Sequence, residues 1–284
     1  MINLKKTILV FSVLLISTYV YAEQKREIVF AISPMASPAS TLSGYSDFIR
    51  YLSEKTGTKV ILKQRRKYSE INSLLKTGGA QFALICTGAF LNGKSEFGLE
   101  LLTVPVIHGT TSYNSYIIVN KKGKIEKFHQ LREKVFAFTD PLSLTGRLYP
   151  LYLLQTIKAK PDDFFKKTFY TSSHEKSIES VANGLADGAA VDSLIFEDMK
   201  RAGNPAIEMI KTIKISPPYG IPPIVVSPLT EKSTKQMFLK ILVGMADDYR
   251  GKKILKRLQI EKFVLPNPVI YYTAVKLEKV TLLP

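Results

Sequence analysis

The chain has 284 residues, and its 40 lysines and arginines outnumber its 24 acidic residues, which gives a formal net charge of +16. Its single cysteine, Cys86, excludes an internal disulfide and a zinc cluster built on cysteines. The basic balance favours anionic ligands or surfaces. No arginine-rich arm, zinc-finger spacing or RNA-binding aromatic motif accompanies it, so nucleic-acid binding is not expected.

The N-terminus has the pattern of a secretory signal peptide. Lys5 and Lys6 precede an apolar run over residues 7–20, which ends at a small-x-small site closed by Ala22. We expect cleavage after Ala22 and a soluble exported protein, with an uncleaved N-terminal anchor as the alternative. Cleavage leaves about 260 residues, which is enough for two lobes.

The first third of the chain alternates between strand and helix patterns. Strands are predicted at 27–32, 60–62, 82–86 and 101–107, and helices around 45–56, 68–76 and 87–97, with a loop over 33–43. This order predicts a doubly wound, mostly parallel sheet.

The alternation restarts after residue 121 and predicts a second α/β lobe. Its predicted elements are a helix at 128–131, a strand at 135–138, a helix from 145, a strand at 168–171, a helix at 175–183, and strands at 189–191 and 210–215. A proline-rich crossing at 217–223 leads to a strand at 224–227 and helices at 230–247 and 250–258, and the tail from 266 has no clear pattern. We therefore predict a signal peptide (1–22), a first lobe in two parts (23–116 and 216–284) and an inserted second lobe (117–215), joined by a two-crossing hinge.

The segment 140–152, DPLSLTGRLYPLY, follows a predicted strand and opens a helix. The first N–H groups of a helix lack internal partners and carry partial positive charge, and the hydroxyls of Ser143 and Thr145 add donors. The segment therefore predicts an anion site at a helix tip. The alternative is that these hydroxyls only cap their own helix.

Several short motifs, weak singly but in a consistent order, resemble the phosphate-, phosphite- and phosphonate-binding periplasmic proteins of ABC importers. The resemblance runs from about Ile28 to Val264. It rests on DPLSLTG at 140–146, SSHE at 172–175, YNS at 113–115 with VNK at 119–121, the segment 181–192, and SPP followed by PIVV within 216–226.

The resemblance implies a two-lobed type II periplasmic binding protein that closes on a tetrahedral oxyanion and delivers it to a membrane permease. It implies that Ser143, Leu144 through its backbone, and Thr145 bind the oxyanion. His174 would donate from a second helix start, and Tyr113 and Tyr68 would close the cleft from the first lobe. It implies neither a cofactor nor a metal.

The turn departs from the family pattern, Asp-Pro-Asn-Ser-Thr-Ser-Gly, at two positions. Leu142 replaces the asparagine, and Leu144 replaces the middle hydroxyl residue but keeps its backbone N–H. Loss of one hydrogen bond to a charged group costs about 1.5–3 kcal/mol. We therefore expect the fold to be kept and the ligand specificity to differ.

Two further residues have open interpretations. Asp192 ends a predicted strand and either holds the amine of an aminophosphonate, as the resemblance implies, or caps the following helix. Cys86 sits at the tip of another strand and is either a small buried group or a soft ligand for an oxyanion such as arsenite.

The competing functions are a sensor module that acts on a sensor kinase and, with less support, an enzyme with Cys86 or Ser143 as nucleophile and His174 as base. No nucleophile elbow, zinc-protease motif or phosphate-binding loop is present, so catalytic residues are not predicted. We expect a monomer.

Overall fold

The structure, a computed structural model, describes residues 27–282. The predicted signal peptide, residues 1–22, and its cleavage site lie outside this range. The described strands are β1 (Ile28–Ile32), β2 (Val60–Gln64), β3 (Phe82–Leu84), β4 (Glu100–Val106), β5 (Ser112–Tyr113), β6 (Ser115–Asn120), β7 (Val135–Phe138), β8 (Lys167–Tyr170), β9 (Gly188–Asp192), β10 (Ile210–Ile215), β11 (Tyr219–Gly220), β12 (Ile224–Val226) and β13 (Lys262–Val264).

Eleven α-helices occur within the described range. They are α1 (Pro38–Thr56), α2 (Tyr68–Lys76), α3 (Thr87–Phe97), α4 (Tyr149–Thr156), α5 (Pro161–Phe164), α6 (His174–Ala182), α7 (Ser193–Arg201), α8 (Pro205–Glu208), α9 (Lys232–Val243), α10 (Tyr249–Arg257) and α11 (Tyr272–Leu282). A π-helix (Leu144–Leu148) leads into α4, and short 3-10 helices lie at Phe128–Leu131, Gly244–Ala246 and Pro268–Tyr271.

The strands form two main sheets, which confirms the predicted two-lobed α/β fold. The first sheet has the order β13-β4-β12-β3-β1-β2 and the second the order β10-β6-β9-β7-β8. We call the first sheet with its helices lobe 1 and the second sheet with its helices lobe 2. Each core is built on apolar strands, and in lobe 1 the rings of Phe82 and Phe238 stack 3.8 Å apart.

Most strands of each sheet run in one direction, as predicted, but both sheets also contain antiparallel strands. β1 pairs in parallel with β2 and β3, as the strand–helix alternation predicts. β12, however, returns from lobe 2 and inserts between β3 and β4, antiparallel to both. In lobe 2, β6 is antiparallel to both β9 and β10. These strands follow long crossings, and local periodicity does not report the direction in which such a strand runs.

A small two-stranded sheet marks the passage between the lobes. β5 and β11 pair antiparallel, with Tyr113 opposite Tyr219 and Ser112 opposite Gly220. The chain enters lobe 2 directly after β5 and leaves it directly before β11. The hinge therefore consists of two adjacent crossings.

Two stretches differ from the predicted elements. The loop predicted over 33–43 is shorter, because Ser37 caps α1 through its side chain and Pro38 occupies the first helical position. The unassigned tail contains α11, which contacts α3 and α4. The Tyr271 hydroxyl anchors its start by donating to the Ile221 carbonyl oxygen at 2.9 Å. Among residues 27–282 no helix is long and apolar enough to cross a bilayer.

Candidate functional site

The carboxyl ends of strands from both sheets face each other across the gap between the lobes. Ser33 follows β1, Cys86 follows β3, and Asp140 and Asp192 lie at the ends of β7 and β9. Ligands of open α/β sheets bind beyond such strand ends. The residues predicted from the sequence therefore gather at the edge where a ligand is expected.

The two lobes touch across this gap through the starts of helices. The Asp140 carboxylate in lobe 2 accepts a hydrogen bond from the first amide of α2, that of Tyr68, at 3.1 Å. The Glu175 carboxylate accepts from the Ser37 amide at 2.9 Å. Carboxylates are favourable partners for helix N-termini, so lobe 2 caps two helices of lobe 1 and the cleft is closed.

The turn predicted to hold the anion lies in this closed cleft. Ser143 acts as a cap, because its Oγ accepts the Gly146 amide at 3.0 Å. The Leu144 side chain is fully buried in the core. The Thr145 Oγ1 is buried and finds no hydrogen-bond partner within the described chain. Ser143 still has its own O–H to donate, but Thr145 is the one of the two whose hydroxyl has no partner at all in the described chain.

His174 is the first residue of α6 and is fully buried. Its Nδ1 accepts the Asp192 amide at 3.1 Å, so the ring proton of the neutral imidazole belongs on Nε2. Burial lowers the His174 pKa to about 3, so the ring stays neutral at physiological pH. The Nε2 is buried without a partner in the described range, which makes it a fixed donor.

Tyr68 and Tyr113 are buried, and their hydroxyls have no partner of good hydrogen-bond geometry among residues 27–282, although the Ser143 side chain lies near the Tyr68 hydroxyl and the Thr87 side chain near that of Tyr113. Tyr68 opens α2 and Tyr113 lies in the hinge strand β5. Burial raises both pKa values well above their usual level. Both hydroxyls therefore keep their protons and can donate.

These donors belong to one continuous group around the ends of β6 and β9. The Ser115 Oγ donates to the Thr145 carbonyl oxygen at 2.7 Å, and Ser115 pairs with Asp192, whose amide holds His174. The Asp192 charge lies close enough to both tyrosines to contribute to their raised pKa values. We call the hydroxyls of Tyr68, Tyr113 and Thr145 and the His174 Nε2 the cleft donors.

Asp192 behaves as a helix cap in this structure. Its Oδ1 accepts the Leu194 amide at 2.7 Å at the start of α7. Burial nonetheless raises its pKa to about 7. The carboxyl group therefore changes charge near neutral pH while it lies beside the cleft donors.

Cys86 lies in the wall of the cleft and is fully buried. Burial raises its pKa to about 11, so it is a neutral thiol. Soft metalloid ligation needs a thiolate. This chemistry favours the small-group interpretation over arsenite ligation, and it disfavours a cysteine nucleophile.

Sequence reasoning missed three polar residues of the cleft. The Ser33 Oγ is buried without a partner in the described part of the chain. Asp140 bridges the lobes, and the Thr139 Oγ1 lies 3.1 Å from His174 Nδ1. Ser33 and Thr139 directly follow predicted strands, and Asp140 is the residue after Thr139. The position of a polar residue just after an apolar strand was therefore the available signal.

Two arginines near the cleft make hydrogen bonds to groups other than the cleft donors. Arg65 donates to its neighbouring backbone, the Gln64 carbonyl oxygen, at 2.8 Å. Arg147 donates to the Tyr170 hydroxyl at 2.9 Å. No cluster of three or more metal-ligating side chains occurs among residues 27–282. The cleft thus presents neutral donors beside a titrating carboxyl group.

A separate cavity of about 180 Å³ lies on the hinge side of the cleft. It is lined by residues that include His108, Tyr116, Glu197, Asp198 and Arg201. Arg201 pairs with Asp198 and lies 3.3 Å from His108 Nε2. We call this the hinge-side cavity. Arg201, Asp198 and His108 contact one another there, unlike the cleft donors.

A family model described as the periplasmic phosphonate substrate-binding protein of ABC transporters matches residues 30–271. This range includes all of the cleft donors.

Solved structures with the same fold cover most of the chain. A binding protein component of an ABC phosphonate transporter from Pseudomonas aeruginosa has a TM-score of 0.85 at 24% identity, over 90% of this chain and 87% of the other. PhnD1 from Prochlorococcus marinus in complex with methylphosphonate has a TM-score of 0.81 at 16% identity, over 90% and 98%. A protein from Xanthomonas citri bound to chloride has a TM-score of 0.71 at 17% identity, over 90% and 96%.

Proposed function

The chain belongs to the family of periplasmic substrate-binding proteins of ABC phosphonate transporters, and we propose that it captures a small phosphonate-, phosphite- or phosphate-like oxyanion between its lobes. The family works with membrane permeases and consists of binding components, not enzymes. The match supports transport and gives no support to the sensor alternative. The same proposal includes a monomeric state, export with cleavage after Ala22, and lobe boundaries at residues 116 and 215.

One observation carries the proposal: four buried donors from both lobes and the hinge lack partners within the described chain. A buried polar group without a partner costs about 1–3 kcal/mol, so such groups are kept where a ligand satisfies them. All four are donors in the protonation states that burial imposes. Their common partner must therefore be rich in acceptors, as an oxyanion is.

The proposed binding step is hinge closure. Thr145 and His174 in lobe 2 meet the anion first, and Tyr68 then covers it when lobe 1 swings over. Ligand favours the closed form only through contacts that it gains there. The Tyr68 hydroxyl is such a contact, because it belongs to the lobe that moves relative to lobe 2.

The solved structure with methylphosphonate supports the ligand class by its similar fold. Methylphosphonate is the ligand in the structure of that other protein. The turn of this chain has leucines at 142 and 144, where the family pattern has asparagine and a hydroxyl residue. We therefore propose a phosphonate-, phosphite- or phosphate-like oxyanion as the ligand, and a binding experiment identifies which of these it is.

A thermal-shift screen tests the proposal, since a ligand that binds only the folded state raises the apparent stability. The panel is phosphate, phosphite, methylphosphonate, 2-aminoethylphosphonate, sulfate and arsenite. We expect a shift with one or more of the phosphorus anions and a smaller one or none with sulfate. A shift with arsenite alone would support the Cys86 hypothesis, and a panel without any shift would contradict the proposal.

A further inference from the structure

The start of α3 in lobe 1 lies against the turn at 140–146 in lobe 2. Gly88 is the second residue of α3, and a Cβ there would lie closer than 3.0 Å to the Leu142 carbonyl oxygen and 2.9 Å from the Leu144 amide nitrogen. Real Cβ atoms essentially never come this close. The three atoms nearest to this position all belong to the backbone of lobe 2.

We infer that Gly88 is a positioning residue that allows the lobes to close, because only a residue without a side chain lets the two helix starts meet. The inference deepens the proposed function, on which it rests. Both sides of the contact are backbone, so rotation of a side chain cannot relieve the overlap. The atoms that a Cβ at Gly88 would displace belong to the backbone of Leu142 and Leu144, in the turn that carries Thr145.

The two carboxylate contacts between the lobes do not impose this restriction. Ser37 and Tyr68 each donate a backbone amide to a flexible acidic side chain of lobe 2, which can follow a small shift of the lobes. One further contact is backbone on both sides, because the His174 amide donates to the Met35 carbonyl oxygen at 3.0 Å. Gly88 and this contact together set how closely the lobes approach, whereas Asp140 and Glu175 hold them once they meet.

The inference predicts opposite effects of Gly88→Ala on stability and on binding. Alanine is favoured over glycine inside a helix by about 0.5–1 kcal/mol, and the nearest obstacles lie in the other lobe. The unliganded variant should therefore unfold at the same temperature as the wild type or higher. Affinity for the phosphorus anion should fall about tenfold or more, since at least one hydrogen bond to a charged ligand is lost.

Gly244→Ala is the matched control. Gly244 is an exposed glycine of lobe 1 with an ordinary backbone conformation, and a Cβ there meets nothing within 4 Å. We expect wild-type affinity from this variant. A double variant, Gly88→Ala with Leu142→Ala, should remain as weak as Gly88→Ala, because the obstacle is the backbone of Leu142.

Closure is measured without any ligand by trapping the closed form. The Ser37 amide nitrogen and the Glu175 carboxylate lie 2.9 Å apart across the lobes. Cysteines that replace these two residues are joined by a short bis-maleimide. A Ser37→Cys single variant controls for reaction at Cys86. We expect Gly88→Ala to slow trapping about tenfold or more, in line with its expected loss of affinity. Trapping within about twofold of the unsubstituted pair would overturn the inference, whether or not the anion screen finds a ligand.

Discussion

The cleft donors and the hinge-side cavity lie on either side of Tyr113 and differ in how their polar atoms are satisfied. In the hinge-side cavity, Arg201 pairs with Asp198 and contacts His108, and a volume of about 180 Å³ remains open. In the closed cleft, the four cleft donors and the Ser33 hydroxyl are buried without a partner within the described residues. On the proposed function, the unsatisfied donors of the cleft, and not the open space of the hinge-side cavity, mark the anion site.

The largest expected effect comes from removing a cleft donor of lobe 2. His174→Ala and Thr145→Val should each weaken binding of the phosphorus anion about tenfold to a hundredfold, because each removes a hydrogen bond to a charged group. Isothermal calorimetry measures the change. His129→Ala, at an exposed histidine of the same lobe, is the control and should bind as the wild type does. Affinity within about twofold of the wild type would remove the substituted residue from the site.

The tyrosine hydroxyls should give an effect at the lower end of that range, with an opposite effect on stability. Tyr68→Phe and Tyr113→Phe should each weaken binding about tenfold, because each hydroxyl also donates to the charged anion. They should leave the free energy of unfolding of the unliganded protein unchanged or higher, since the removed hydroxyl had no partner.

Tyr271→Phe is the control for the tyrosines. The Tyr271 hydroxyl donates to the Ile221 carbonyl oxygen at 2.9 Å, so its removal should lower stability and spare binding. Chemical denaturation and calorimetry on the same samples separate the two outcomes. Loss of stability without loss of affinity in the cleft variants would show that these hydroxyls only serve packing.

The titration of Asp192 predicts a pH dependence of binding. Because burial raises its pKa to about 7, the carboxyl group is neutral below that pH and repels an anion above it. Asp192→Asn keeps a side chain able to cap α7. The variant should match the wild type for methylphosphonate at about pH 5.5 and bind about threefold to tenfold more tightly at about pH 8.5, since one charge pair beside the site is relieved.

The same variant separates the two interpretations of Asp192. If the carboxylate holds the amine of an aminophosphonate, Asp192→Asn should weaken binding of 2-aminoethylphosphonate while it strengthens binding of methylphosphonate. If Asp192 is only a cap, both ligands should respond alike. The ratio of the wild-type affinity to the Asp192→Asn affinity for methylphosphonate should change with pH. A constant ratio would contradict the placement of the Asp192 carboxyl group beside the ligand.

The smallest effect is expected in the hinge-side cavity. Arg201→Gln removes a partly exposed ion pair, and such pairs contribute about 0–1 kcal/mol to stability. We expect affinity for the anion within about twofold of the wild type. A tenfold loss of affinity in Arg201→Gln would show that the hinge-side cavity affects anion binding as the cleft does, and would contradict the comparison.

The sequence located the helix tip in lobe 2 because the local signals were strong. Asp-Pro ends a strand, Ser143 precedes an apolar helical pattern, and both features depend only on neighbouring residues. The strand Val135–Phe138 and the helices Tyr68–Lys76 and Thr87–Phe97 were likewise predicted with the bounds that the structure has, because glycine, proline or polar residues frame each of them.

The features that were missed depend on distant parts of the chain. The insertion of β12 between β3 and β4 reflects the return of the chain from lobe 2. The length of α11 depends on its packing against α3 and α4. Ser33 becomes a candidate site residue only in the folded structure, where its hydroxyl is buried without a partner among the described residues. Long-range packing decides such features, and the local pattern does not encode them.

A crystal structure with the anion selected by the thermal-shift screen tests the central claim most directly. The account predicts the anion in the cleft, with its oxygens within hydrogen-bond distance of Thr145 Oγ1, His174 Nε2 and the hydroxyls of Tyr68 and Tyr113. An anion in the hinge-side cavity or on the surface, with these four donors still unpartnered, would contradict it.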